Sequence, residues 1–172
     1  KTIRGEDKPM FVLGRKIFHV DGTVEDASLA RNVPRSAEGF RSAGSVQPWA
    51  DATSHLNRPG MEPFAFALSA GGFGSVLMKY TGFAGALISM IGASGAGKTL
   101  MMRWIQSVWG YHDDLIMRRG DTRNATLSRL GVYNNLPLCI DEVTNIGVQE
   151  ASELAYQITQ GKDKARLNRN AE

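Results

Sequence analysis

Gly92-Ala93-Ser94-Gly95-Ala96-Gly97-Lys98-Thr99 is the stretch on which the reading of this chain turns. It fits the pattern G-x-x-x-x-G-K-[ST] at every fixed position. With ordinary glycine usage, a chance match in a chain of this length is on the order of one in a hundred. The flanks argue further against chance. Ala86 to Ile91 (Ala-Leu-Ile-Ser-Met-Ile) reads as a short buried strand running into the loop, and Leu100 to Gly110 reads as an amphipathic helix leaving it. In that helix Met101, Trp104, Ile105 and Val108 fall at i, i+3, i+4 and i+7, one apolar stripe, with Arg103 and Gln106 off it. A plain glycine-rich turn is the competing reading.

The pattern has a physical purpose. A triphosphate carries dense negative charge and many acceptor oxygens. Backbone N–H groups can converge on it only where the chain turns tightly, which Gly92, Gly95 and Gly97 allow. The helix that follows adds free N–H groups and the positive end of its dipole. The residues expected to touch nucleotide are Gly92, Ser94, Gly95, Ala96, Gly97, Lys98, Thr99 and Leu100. Lys98 would reach the β and γ phosphates, and the Thr99 hydroxyl would face Mg²⁺. ATP and Mg²⁺ are therefore the expected cofactors.

Binding alone is not hydrolysis. Leu136-Pro137-Leu138-Cys139-Ile140 reads as a buried parallel strand, and Asp141-Glu142 stands at its C-terminal end, where open α/β sheets take their ligands. Asp141 would hold Mg²⁺ and Glu142 would act as general base on water. A strand closing in a solvated acidic turn is the alternative. Many phosphate-loop GTPases carry no such second acid. The pair Asp141-Glu142 instead looks like the additional-strand ATPases, among them AAA+ machines and superfamily 3 helicases. Leu115 to Arg118 is expected to be an extra strand, and Thr122 to Leu130 a helix.

The remaining sequence bounds the setting. A chain of 172 residues suffices for one α/β domain. A net charge of +3 is too weak to imply a nucleic-acid partner. The single cysteine, Cys139, excludes an internal disulfide and is expected in the core. His19, His55 and His112 are too dispersed to suggest a metal site. No signal peptide and no membrane span is read, so a cytoplasmic setting is expected. Met10 to Val20 is expected as a hairpin around Gly14-Arg15, with a second turn at Asp21-Gly22. Residues 26–45 read as loop with some helix. Pro48 opens a helix to Leu56, and Phe64 to Tyr80 is another, weakened by Gly71, Gly72 and Gly74. Val148 to Gln160 is a helix with Ala151, Leu154, Ala155 and Ile158 inward, closed by Gly161. Two regions are expected: a hairpin-plus-helix lead-in over 1–62 and a phosphate-loop core over 63–172. The start at Lys1-Thr2-Ile3 and the want of a further core strand before Glu172 lead us to expect a truncated catalytic domain.

Several blocks together resemble a phage and prophage domain family of unknown function found in predicted primase-helicases, itself similar to superfamily 3 and AAA+ ATPases. They are the loop at 92–99, Ser107-Val108-Trp109-Gly110, Asn124-Ala125-Thr126, Asn134-Asn135-Leu136-Pro137-Leu138 before Asp141-Glu142, and Gly161-Lys162-Asp163-Lys164-Ala165-Arg166. The resemblance covers roughly residues 45 to 169. It implies a P-loop NTPase with a parallel central sheet flanked by helices, working as a replicative DNA helicase, assembled as a homo-oligomeric ring in the bacterial cytoplasm. The sensor strand and arginine finger of such ATPases have no counterpart here. Lys162, Lys164, Arg166 and Arg169 fall where superfamily 3 helicases carry a hairpin that touches single-stranded DNA, so single-stranded or forked DNA is the implied partner. A solvated basic turn competes with that reading, and Arg166 could instead lie at a subunit interface. Core packing is the better reading of Trp49, Trp104 and Trp109, base stacking the other. Alternatives for the whole chain are a nucleotide-dependent switch or assembly ATPase without nucleic acid, a small-molecule kinase and a degenerate nucleotide-binding module.

Overall fold

The computed structural model describes residues 10–27, 38–118, 123–141 and 148–160. The chain begins with an antiparallel meander of β1 (Met10–Leu13), β2 (Lys16–His19) and β3 (Val24–Asp26). Leu13 pairs with Lys16 across Gly14-Arg15, so the expected first turn is present. Gly14 has φ 56°, and a β-carbon there would strike the Phe40 carbonyl. The second turn, with Gly22 at φ 86°, leads into a third strand that the hairpin expectation lacked.

Helix α1 (Val46–Ser54) runs into a 3₁₀ turn at His55–Asn57. The stretch expected as one helix over 64–80 begins two residues earlier and changes type twice over residues 62–80. They form α2 (Glu62–Ala67), a π-helical segment over Leu68–Phe73 and a 3₁₀ segment over Gly74–Tyr80. The glycines explain the change. The position a β-carbon would take on Gly72 is 3.2 Å from Val108 Cγ2, so this segment lies against the next helix too closely for a larger residue to fit without shifts. The widened turn also leaves the Gly72 carbonyl to the Trp109 indole N–H, at 2.8 Å.

That next helix, α3 (Lys98–Ser107), is the centre of the fold. Met101, Met102 and Ile105 are buried in one cluster with Leu56, Ala67, Leu68, Ile116 and Cys139. Burial of each such side chain contributes roughly 1.5–3 kcal/mol. A second cluster gathers Phe40, Leu115 and Tyr133, with Leu13, Trp109, Leu136 and Leu138 packed on it. The tryptophans tie α1 and β1 to α3 and the turn that follows it. Trp49 donates to Ser107 Oγ at 2.8 Å, and Trp104 donates to Thr53 Oγ1 at 3.1 Å. Trp109 also meets Phe11 of β1, with ring centroids 5.9 Å apart. All three indole N–H groups are thus satisfied within the protein.

Helices α4 (His112–Leu115), α5 (Arg123–Tyr133) and α6 (Val148–Gln160) complete the described chain. Between them the extra strand expected at Leu115–Arg118 reduces to Met117, which bridges Ile140 in parallel. Among the described residues the regular sheet is antiparallel, and parallel pairing is confined to that bridge. Ala86 to Ile91 departs from expectation as well. It pairs with no strand among the described residues, and only one side is covered. Met90 packs on the first cluster, while Leu87 is 58% and Ile91 93% exposed. Helix α6 has the expected bounds, with Ala155 and Ile158 half-buried. The side chains of Ala151 and Leu154, and Gly161, fall outside the described set. Among the described residues no helix is long and apolar enough to cross a membrane.

Gly110 offers a direct check on this packing. A β-carbon there would collide with the Gly39 carbonyl and come within 2.9 Å of Phe40 Cα, both backbone atoms. Gly110→Ala is expected to lower unfolding free energy by about 1–3 kcal/mol in urea denaturation, the usual range for overpacking. An unchanged midpoint would contradict the packing described.

Candidate functional site

The loop from Gly92 to Gly97 connects the extended run to α3. Gly95 (φ 79°) and Gly97 (φ 85°) are left-handed, a conformation costly for residues with a β-carbon. Gly92 has no positive φ. Ala96 N–H donates to the Ala93 carbonyl at 3.3 Å and closes the turn. Gly97 then caps α3, its carbonyl accepting from Met101 N–H at 2.9 Å. The first N–H groups of the helix, with no partner available inside it, cluster beside the loop. The Phe64 ring of α2 supports the far side, with Cε1 3.7 Å from where a β-carbon on Gly97 would lie.

Lys98 crosses the loop. Its ammonium donates to the Gly92 and Ala93 carbonyls, each at 2.7 Å. An ammonium has three donors, so one is left for an anion held in the loop. The two bonds tie the helix's first residue back to the start of the loop.

Asp141 meets the start of α3. Its N–H donates to the Met117 carbonyl at 2.9 Å, and Met117 N–H donates to Cys139 at 2.9 Å, so the parallel bridge fixes the end of this run. Its carboxylate oxygen then lies 3.5 Å from Thr99 Oγ1, across 42 residues of sequence. At that distance a direct hydrogen bond is weak. A hydroxyl and a carboxylate are the hard oxygen donors that Mg²⁺ selects, and neighbouring ligands on an octahedral ion at about 2.1 Å stand roughly 3 Å apart. The two side chains therefore fit that ion, with water and phosphate left to complete it. Among the described residues no group of three His, Cys, Asp or Glu forms a metal cage, and such a cage is not what Mg²⁺ with a polyphosphate needs.

Of the residues expected to act, Gly92, Ser94, Gly95, Ala96, Gly97, Lys98, Thr99, Leu100 and Asp141 come together at one end of α3. Glu142, Lys162, Lys164, Arg166 and Arg169 lie outside the described residues. Asp113 and Asp114 are engaged by Arg118 and Arg41, each at 3.0 Å. One residue behind the site was misread. Gln106, expected off the buried stripe, is 0% exposed. Its Nε2 donates to the Pro137 carbonyl at 2.9 Å, an attraction that hydrophobic spacing cannot reveal.

Residues 4–172 match the family described as "Domain of unknown function (DUF927)", and the chain belongs to that family. No curated protein and no solved structure matches it.

Cys139 lies in the run that carries Asp141. Burial pushes its thiol from the ordinary 9.0 up to about 11, with a hydrogen bond from the Gln106 side chain opposing. The native thiol should stay unlabelled by iodoacetamide at about pH 8.5, where an exposed thiol is substantially ionised, and react once the chain is unfolded in urea. The raised value favours the neutral thiol in the fold, so this contribution to stability is full below about pH 9 and lost as pH rises to about 11. Rapid native labelling would contradict the burial of this run.

Proposed function

We propose that this chain is an ATP-binding and ATP-hydrolysing P-loop domain of the additional-strand type, the motor of a replicative primase-helicase of phage or prophage origin. The observation that carries the nucleotide reading is the approach of Thr99 to Asp141 beside a loop crossed by Lys98. A glycine-rich turn with no ligand would have no need for either.

In this reading the loop amides and the first amides of α3 bind the phosphates, and Lys98 uses its remaining donor on the terminal ones. Thr99 and Asp141 would hold Mg²⁺, which when bound neutralises charge between the β and γ phosphates. Glu142 follows Asp141 in the chain and would take a proton from the attacking water. A glutamate in that role argues against a kinase, which must keep water from the phosphoryl group. A homo-oligomeric ring would bring an arginine from a neighbouring subunit, an addition worth about 10³–10⁵-fold in related systems. Isolated subunits should therefore bind ATP better than they turn it over. Lys162, Lys164, Arg166 and Arg169 would meet the phosphates of single-stranded or forked DNA, and the bacterial cytoplasm would be the place of action.

Two substitutions test the nucleotide reading. Lys98→Ala should weaken ATP binding about 10–100-fold, the equivalent of one charged hydrogen bond. Glu142→Gln should keep ATP affinity while turnover falls by about 10²–10⁴. Unchanged affinity in Lys98→Ala overturns the nucleotide assignment. Unchanged turnover in Glu142→Gln removes the base.

The motor reading has its own measurement. Replacing Lys164 and Arg166 with Ala should flatten the salt dependence of single-strand binding by roughly 0.7 per lost phosphate contact. An unaltered slope removes these residues from DNA binding. Turnover indifferent to added DNA would favour a nucleotide-dependent switch or assembly ATPase.

A further inference from the structure

We propose, resting on the nucleotide reading above, that Gln106 is a positioning residue: it sets the register between α3 and the 136–141 run that brings Thr99 and Asp141 together. The apolar contacts between these elements cannot do this alone. Met101, Met102 and Ile105 pack in one cluster with Cys139 and Ile116. Such burial has no direction and tolerates a small slide of one element past the other. The bridge from Met117 to Ile140 aligns two extended segments with each other but leaves the helix free.

Gln106 supplies the missing direction. It is 0% exposed, and its Nε2 reaches the Pro137 carbonyl at 2.9 Å. Pro137 and Asp141 lie four residues apart in the run that carries the parallel bridge at Ile140, at most about 13 Å apart when fully extended. Gln106 and Thr99 lie near opposite ends of one helix, about 10 Å apart. One link at 106–137 and one approach at 99–141 thus align the whole length of the pair. A slip by a single strand position would move Asp141 about 3.3 Å and turn its side chain to the other face. Thr99 would then lose its partner.

The choice of residue supports a directional role. Gln106 Oε1 is buried with no hydrogen-bond partner. A leucine or methionine would fill the space without that cost. An apolar side chain could not make the bond that the amide nitrogen gives to the Pro137 carbonyl.

The test uses the whole chain and ADP as probe, titrated calorimetrically with Mg²⁺ and again with a chelator. In Gln106→Met the factor by which Mg²⁺ strengthens ADP binding should fall about tenfold, the low end of what outer-shell partners cost a metal site. Affinity in chelator should stay within about twofold, because the loop and Lys98 are untouched. An unchanged Mg²⁺ factor overturns the proposal, and so does an equal fall in both affinities, which signals general loosening. A wild-type chain that does not bind ADP overturns the nucleotide reading itself and this proposal with it. Should Gln106→Met not fold, the wild-type Gln106 side-chain amide, assigned by NMR, decides. Its signals should shift when Mg²⁺ is added to the ADP complex, and signals that stay fixed overturn the proposal.

Discussion

Helix α3 has to satisfy two surfaces at once. Its N-terminus must open onto the 92–97 loop, and its flank must lie along the run that ends at Asp141. Hydrophobic burial of Met101, Met102 and Ile105 supplies the adhesion. It cannot supply the aim, because apolar attraction has no preferred direction. The aim comes from a few directional bonds at the ends of the helix. Trp49 and Trp109 hold its C-terminal end through Ser107 and Gly72, and Gly97 starts it with a left-handed turn. Helix α1 and the 62–80 segment pack towards that helix, and the meander meets Trp109 just beyond it, so the geometry of the loop depends on how firmly it is held.

The sequence revealed the parts of this arrangement that depend on local rules. The left-handed Gly95 and Gly97 of the loop, the Gly14-Arg15 turn and the bounds of α6 follow from spacing and backbone preference, which neighbours in the chain decide. What it hid depends on distant partners. Residues 64–80 read as one helix, yet the segment takes π and 3₁₀ turns where Gly72 lies against Val108, far away in the sequence. Ala86 to Ile91 has the apolar run of a strand buried on both faces, but only the Met90 side meets the core. Gln106 looked like a surface residue because polarity usually means exposure, and only the Pro137 carbonyl, remote in sequence, shows why it is inside.

The same contrast runs through the candidate site. Motif spacing named Lys98, Thr99 and Asp141, since their chemistry requires fixed residue types. It could not give their mutual distance, which the fold alone determines. The 3.5 Å between Thr99 and Asp141 is set by α3 lying beside the 136–141 run, and the parallel bridge at Met117 holds that run in place.

Charge separation completes the physical case. A lysine beside an aspartate would ordinarily pair with it, and the pair would attract neither phosphate nor metal strongly. Here Lys98 is held by two carbonyl dipoles. Among the described residues no carboxylate bridges to it. Carbonyls orient the ammonium without cancelling its charge, so the full cation stays available to a polyanion. Asp141 meets a neutral hydroxyl, which leaves its negative charge available to a cation. Opposite charges kept apart within one site fit a ligand that is itself divided, an anionic phosphate chain with a divalent ion.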